Sequence, residues 1–382
     1  MEYRELGTTG MKVGTISMGC EGFSGNSSAE VKQKLDFLLG EGCNFLEMYN
    51  PESEFRKNVG AAVRGRRDKI FLQSHLCAIM EDGQYLRTRE LGKVKAGFDQ
   101  MLSEIGTDYI DVGMIHYVDS VADWEDVVNN GVLDYALELK KAGKIRHIGM
   151  SSHNPEAAKA AVDSGSLEVL LFSINPCYDM QPADEDVEKI WADESYAHEL
   201  QNQDAERKKL YELCESKGIG IDVMKAFGGG DLLDEKMSPF GRAFTPAQCI
   251  HYCLTRPAVA AVMLGCKSID EWKAALKYYE TSEAERDYSG VLTGMDRFKF
   301  EGHCMYCGHC APCTVGIDVA SVTKYLNLAL AEGELRETVR EHYKLLSHHA
   351  SECIGCGNCE QNCPFHVEII QNMKKAAEVF GY

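Results

Sequence analysis

The stretch 109–150, YIDVGMIHYVDSVADWEDVVNNGVLDYALELKKAGKIRHIGM, holds one complete repeat of the fold. Residues 109–115 form a short apolar run with little alternation, as a strand covered on both faces reads. Val128, Val132, Tyr135 and Leu139 then recur at helical spacing, and Gly143 stands where that helix stops. A second apolar run, 145–150, follows. Strand, helix and strand in this order give a parallel pair with a covering helix.

The same rhythm extends both ways. Further strands are expected at 13–18, 43–48, 69–74, 167–174, 219–224 and 259–264. Leu91, Val94, Phe98, Leu102 and Ile105 mark a helix before the quoted stretch, and 246–255 reads as a helix before the last strand. Eight strand–helix units in roughly 280 residues predict a (β/α)8 TIM barrel. A doubly wound open sheet is the alternative, but no opening G-x-G-x-x-G appears. Gly7 and Gly10 suggest a small hairpin closing the barrel bottom. The acidic stretch 181–204 reads as a solvated loop or as a lid over the active face.

The 382 residues leave room for a second, smaller domain, so we divide the chain into 1–290 and 291–382. The net charge of -19, from 40 basic against 59 acidic residues, argues against a nucleic-acid partner, since nothing would neutralise phosphates. The opening MEYRELGTTG lacks the features of a signal peptide, and no apolar run is long enough to span a bilayer. The expectation is a cytoplasmic protein with no membrane partner, whose 16 cysteines are not disulfides.

Eight of those cysteines lie after position 300 in two tight groups, CMYCGHCAPC and CIGCGNCEQNCP. The second follows the ferredoxin spacing C-x2-C-x2-C-x3-C-P, and the first departs only in its last gap. Structural zinc usually takes two ligand pairs across a longer loop, and neither group divides that way. Two 4Fe-4S clusters are therefore expected in a small helical ferredoxin-like domain. The fourth cysteine of each run is free to ligate the other cluster. One cluster takes Cys304, Cys307, Cys310 and Cys363; the other takes Cys353, Cys356, Cys359 and Cys313. Residues 317–331 and 332–349 read as helices between the groups.

A TIM barrel does its chemistry at the C-terminal strand ends. There the sequence sets Glu47 and Tyr49, then His75, then His116, on three neighbouring strands. Any one alone is more often structural, but four together suggest a proton-transfer site. Cys20 and Cys266 also reach the rim, where buried inert thiols are the commoner outcome.

The stretches DYIDVGMIHYVD, KKAGKIRHIGMSSHN, INPCYD, VMKAFGGGDLL and VMLGCKSIDEW, in this order and followed by GHCMYCGHCAPC, resemble the aldo-keto reductases, in particular their branch with a ferredoxin-like tail. That resemblance implies carbonyl reduction with NADP(H) and an Asp, Tyr, Lys and His tetrad. Carried over, the His is His116, the Asp position holds Glu47, the Tyr is Tyr49 after a shortened NPESEF loop, and the Lys position holds His75. A fixed cation eases ionisation of a tyrosine, and histidine is only partly charged at neutral pH, so His75 weakens the activation of Tyr49 or serves as the acid itself. The resemblance also implies nucleotide contacts from Ser151, Ser152, Asn175 and Lys225, with Gly265, Lys267 and Ser268 for a 2′-phosphate and Glu271 as a companion; the adenine-side Asn falls on Ala275.

The functional expectation is an oxidoreductase with a small organic substrate in the barrel and single electrons relayed by the tail. NADP(H) is a second electron source, and flavin, for which no motif is apparent, would be the converter if both operate. A redox partner such as ferredoxin or flavodoxin fits the tail. The competing expectations are a non-redox lyase or isomerase using Glu47, Tyr49, His75 and His116, and an electron carrier with the barrel as scaffold.

Overall fold

A computed structural model describes residues 1–180, 205–238, 240–292, 304, 306, 308–332, 335, 337–363 and 366–382. A hairpin opens the chain: β1 (Tyr3–Glu5) pairs antiparallel with β2 (Lys12–Gly14). Then come β3 (Ile16–Gly19), β4 (Phe45–Met48) and β5 (Phe71–Leu76). After a second hairpin of β6 (Ala78–Glu81) and β7 (Gln84–Arg87) follow β8 (Ile110–Ile115), β9 (Ile145–Ser152), β10 (Val169–Ser173), β11 (Gly220–Met224) and β12 (Val259–Leu264). Eight of these close a barrel in the order β10-β11-β12-β3-β4-β5-β8-β9. All eight pairings between its strands are parallel, as the expected TIM barrel requires.

The lower barrel is filled rather than hollow. Phe45, Val112, Met114, Val169, Leu171, Ala261 and Met263 pack together with Leu6, Met11 and Val13 from the first hairpin. That hairpin is a plug at the N-terminal strand ends, where Thr8 N donates to Gly218 O at 2.8 Å. Gly7 permits the approach: a Cβ there would lie 2.3 Å from Gly220 N. The helices between strands bury their apolar faces on the outside, with Val94, Phe98, Met101 and Ile105 of Leu91–Ile105 nearly inaccessible.

Several expectations are corrected. The run 13–18 is two strands, because the chain turns at Thr15 between the hairpin and the barrel. The single helix read between β8 and β9 is two, Val121–Asn129 and Val132–Lys141, broken where Gly131 takes φ +75. Strand β5 runs on to Leu76, and β9 to Ser152, so His75, Ser151 and Ser152 lie within strands. The hairpin β6–β7 escaped notice, although Asp82 and Gly83, with φ 51 and 79, form the kind of two-residue turn such hairpins use. The acidic stretch 181–204 lies outside the described residues.

The chain separates into two compact units. The first comprises Met1–Met80, Arg87–Phe227 and Phe244–Thr293; the second comprises Glu81–Leu86, Gly228–Ala243 and Gly294–Tyr382. The second unit is helical, with Val319–Glu332, Glu337–Lys344 and Ile369–Phe380 around Val322, Leu326, Tyr343 and Met373. The expected second helix of this unit is described over Glu337–Lys344, and Tyr343 stacks on Phe380 at 3.9 Å between ring centres. No described helix is long and apolar enough to cross a membrane.

Candidate active site

Parallel closure brings all the strand C-termini to one rim. Glu47 is the third residue of β4, His75 the fifth of β5, and His116 directly follows β8. These three form a continuous line. Glu47 Oε1 lies 3.0 Å from His75 Nε2. Its direction is off that of a hydrogen bond, and the two form an ion pair only when His75 carries a proton on each nitrogen. On its other side His75 Nδ1 sits 2.6 Å from His116 Nδ1, and a single proton must lie between those two nitrogens. His116 Nδ1 is also 3.4 Å from Ser151 Oγ, which accepts the Tyr117 N–H at 2.7 Å. Glu47, His75 and His116 are all buried. Burial, reinforced by the charges of His75, Arg89, Arg87 and His153, holds the His116 imidazole well below its ordinary pKa, so it is neutral at pH 7.

Tyr49 completes the expected group. Its ring lies parallel to His116, 6.5 Å between centres and 3° between planes, and edge-on to His75 at the same separation. It is half-buried, with its hydroxyl 3.5 Å from Glu21 Oε1. That carboxylate oxygen is 4.0 Å from Nζ of Lys225, the residue after β11, so a lysine faces the tyrosine across an acid. The structure therefore brings Glu47, Tyr49, His75 and His116 together, and adds Glu21 and Lys225.

Two further features were missed in the sequence. Arg89 forks onto Asp123 at 2.9 and 2.7 Å and donates to the backbone carbonyls of His116 (2.9 Å) and Tyr117 (2.8 Å). It fixes the turn that carries His116, where Tyr117 takes φ 60. Inside the barrel, Gln73 Nε2 donates to Asp222 Oδ2 at 2.7 Å, β5 to β11. Both side chains are fully buried, and among the described residues Asp222 Oδ1 and Gln73 Oε1 have no partner. Burial, aided by the nearby Glu47 charge, pushes the Asp222 carboxyl up to about 8. Position 222 lies inside an apolar strand run, and only its inward side of the pleat would have singled it out.

The positions expected to hold a nucleotide are occupied by protein bonds. Ser152 Oγ donates to Asp119 Oδ1 or Asn154 O, 3.1 Å from each. Asn175 donates to Lys225 O at 2.8 Å and accepts from Tyr178 N at 2.9 Å, capping Pro176–Asp179. Ser268 caps Ile269–Leu276, while the Glu271 carboxylate accepts from Lys267 N at 2.8 Å, so an anion already sits where a 2′-phosphate was expected. A Cβ on Gly265 would meet the Glu21 side chain at 3.1 Å. Of this set Lys225 lies 4.0 Å from Glu21 Oε1, and Lys267 is exposed. Burial raises the thiols of Cys20 and Cys266, the latter to about 12, which disfavours their thiolate form.

In the second unit Cys304, Cys310, Cys313, Cys353, Cys356, Cys359 and Cys363 are not joined in disulfides; Cys307 lies outside the described residues. Thr314, next to Cys313, has its hydroxyl 3.3 Å from Cys356 Sγ. The end of the first cysteine run thus meets the second run, and the all-thiol donor set suits iron–sulfur ligation.

A model of the aldo/keto reductase family matches residues 11–248, and one of a 4Fe-4S binding domain matches 347–367. Among curated proteins, the uncharacterized oxidoreductase YqkF of Bacillus subtilis is 24% identical over 285 residues, 71% of this chain and 89% of its own. The L-glyceraldehyde 3-phosphate reductase of Escherichia coli K12 is 25% identical over 173 residues, 43% of this chain and 49% of its own. The aldo-keto reductase AKR11C1 from Bacillus halodurans, in its holo form, superposes with a TM-score of 0.60 at 20% identity, over 78% of this chain and 97% of that one.

Proposed function

The chain belongs to the aldo/keto reductase family, carries a 4Fe-4S binding domain and is an oxidoreductase; from that premise we propose that it interconverts a small carbonyl compound and its alcohol in the barrel, with electrons from two tail clusters. The observation that carries this reading is the buried line Glu47–His75–His116 at the strand rim. Reducing a carbonyl to an alcohol takes two electrons and two protons. Reduced iron–sulfur clusters supply electrons singly, and two of them together supply the pair. Cys304, Cys307, Cys310 and Cys363 would hold one, and Cys353, Cys356, Cys359 and Cys313 the other.

The barrel residues handle the protons. His116, neutral, orients the substrate oxygen by a hydrogen bond. His75 faces His116 through Nδ1 and lies beside Glu47 through Nε2, so it acts through His116 rather than on the substrate. When the oxygen takes a proton from His116, His75 passes its Nδ1 proton across the 2.6 Å contact to His116 Nδ1. Glu47 stabilises the charge that appears on His75 when it holds both protons. Tyr49, beside His116 and facing Glu21, is the second proton donor.

Hydride delivery from NADP(H) is the second reading, supported by the family and by Lys225 and Lys267. Against it stand the internal bonds of Ser152 and Asn175 and the carboxylate of Glu271 on Lys267 N. The test supplies anaerobic protein with a panel of small aldehydes and ketones and either NADPH or a dithionite-reduced viologen. Alcohol formed with the viologen and abolished by His116→Ala supports the tail as electron source. Turnover with NADPH alone would replace it with the family's hydride chemistry. A soluble one-electron donor of the ferredoxin or flavodoxin class would serve the tail physiologically.

A further inference from the structure

Two cysteine runs so alike in spacing would give two clusters of similar potential unless their surroundings differ. One difference is legible in the second unit. Thr314 Oγ1 lies 3.3 Å from Cys356 Sγ, and the Asn358 amide donates to the same Oγ1 at 3.3 Å. With Asn358 occupying an acceptor lobe of the hydroxyl, the Thr314 proton is directed away from Asn358. A ligating cysteine is a thiolate and can only accept, so the hydrogen bond runs from Thr314 O–H to Cys356 Sγ. Thr314 follows the last cysteine of its run. The matching position after Cys363 is Pro364, which carries no side-chain donor.

We propose that Thr314, oriented by Asn358, is a potential-setting residue: its hydroxyl bond to Cys356 raises the reduction potential of the cluster held by Cys353, Cys356, Cys359 and Cys313 above that of the other. Reduction adds negative charge to the cluster and its sulfurs, so a donor stabilises the reduced form more than the oxidised one. Electrons entering the tail therefore rest on the Cys356 cluster. The inference rests on the two-cluster reading given above, and the ligands themselves are not altered by it.

The experiment is an anaerobic potentiometric titration of the full-length holoprotein followed by EPR, with iron and sulfide counted in each preparation. The wild type should titrate in two one-electron steps. Thr314→Val should lower the upper midpoint by the equivalent of about three- to tenfold in the reduced-to-oxidised ratio, tenfold being about 59 mV for one electron, and leave the lower one in place. Thr314→Ser should restore the upper midpoint, which a merely structural role for the methyl group would not do. Unchanged midpoints in Thr314→Val at full iron content, or equal shifts in both, would overturn the proposal. If that variant loses iron, Asn358→Ala keeps the hydroxyl but unties it; the upper midpoint must still fall, and an unmoved one is equally fatal. A wild type with iron for one cluster, or with zinc, would instead defeat the two-cluster reading.

Discussion

Replacing Asp222 by Asn should flatten the pH dependence of barrel stability. The carboxyl is fully buried and pushed up to about 8, whereas in the unfolded chain it titrates near its ordinary value of about 3.9. A folded-state pKa raised above the unfolded one means stability that is complete below the lower value and is lost as pH rises toward the upper. Above pH 4 the unfolded chain releases this proton and the folded barrel keeps it. One proton costs about 1.4 kcal/mol per pH unit, so the ceiling over the whole window is roughly 6 kcal/mol, and between pH 5 and 8 about 4 kcal/mol. Asparagine has the same shape, still meets Gln73 and does not titrate. All three tryptophans precede residue 290, so intrinsic fluorescence follows the barrel rather than the tail. In urea titrations at pH 5, 6, 7 and 8, the variant should gain on the wild type steadily, reaching several kcal/mol at pH 8. Parallel curves for the two proteins across this range would refute the reasoning, because Asp222 would then ionise in the fold as it does outside it.

Other perturbations test the site from different sides. His75→Gln should lower turnover by about 10²–10⁴-fold, the usual worth of a general acid–base group, with the circular dichroism of the barrel unchanged; a loss under tenfold would remove His75 from the proton line. Arg89→Lys cannot fork onto Asp123 while holding two carbonyls, so it should cost about 2–4 kcal/mol in urea titration and reduce turnover through the displaced His116. Cys363→Ala should disturb the EPR signal of the cluster on Cys304 and Cys310, and Cys313→Ala that of the cluster on Cys353 and Cys359; the reverse pattern would show each run ligating its own cluster.

The barrel was legible because its strands are covered on both faces and its helices repeat the same apolar stripe. What sequence could not show lies in contacts across the barrel. Gln73 and Asp222 are 149 residues apart in the chain, and their meeting depends on closure. Each strand taken alone offers no reason to prefer it. The Gly131 break was hidden because Val128 and Val132 keep helical spacing across it. Of the site, Glu47, His75 and His116 could be chosen by strand end alone, but their order along a proton line could not. That order depends on His75 lying within β5, which runs two residues past the expected strand end. The role of Arg89 was invisible because its partners are backbone carbonyls, which carry no sequence signal.

The proposed reaction requires electrons from the tail and protons from the histidine pair. The most direct measurement is a single turnover: protein reduced anaerobically, freed of excess reductant and mixed with a carbonyl that it accepts, while cluster absorbance and alcohol are followed together. One alcohol should form for each pair of electrons leaving the clusters, and His116→Ala should leave the clusters reduced. Alcohol formed while the cluster absorbance stays still would contradict it.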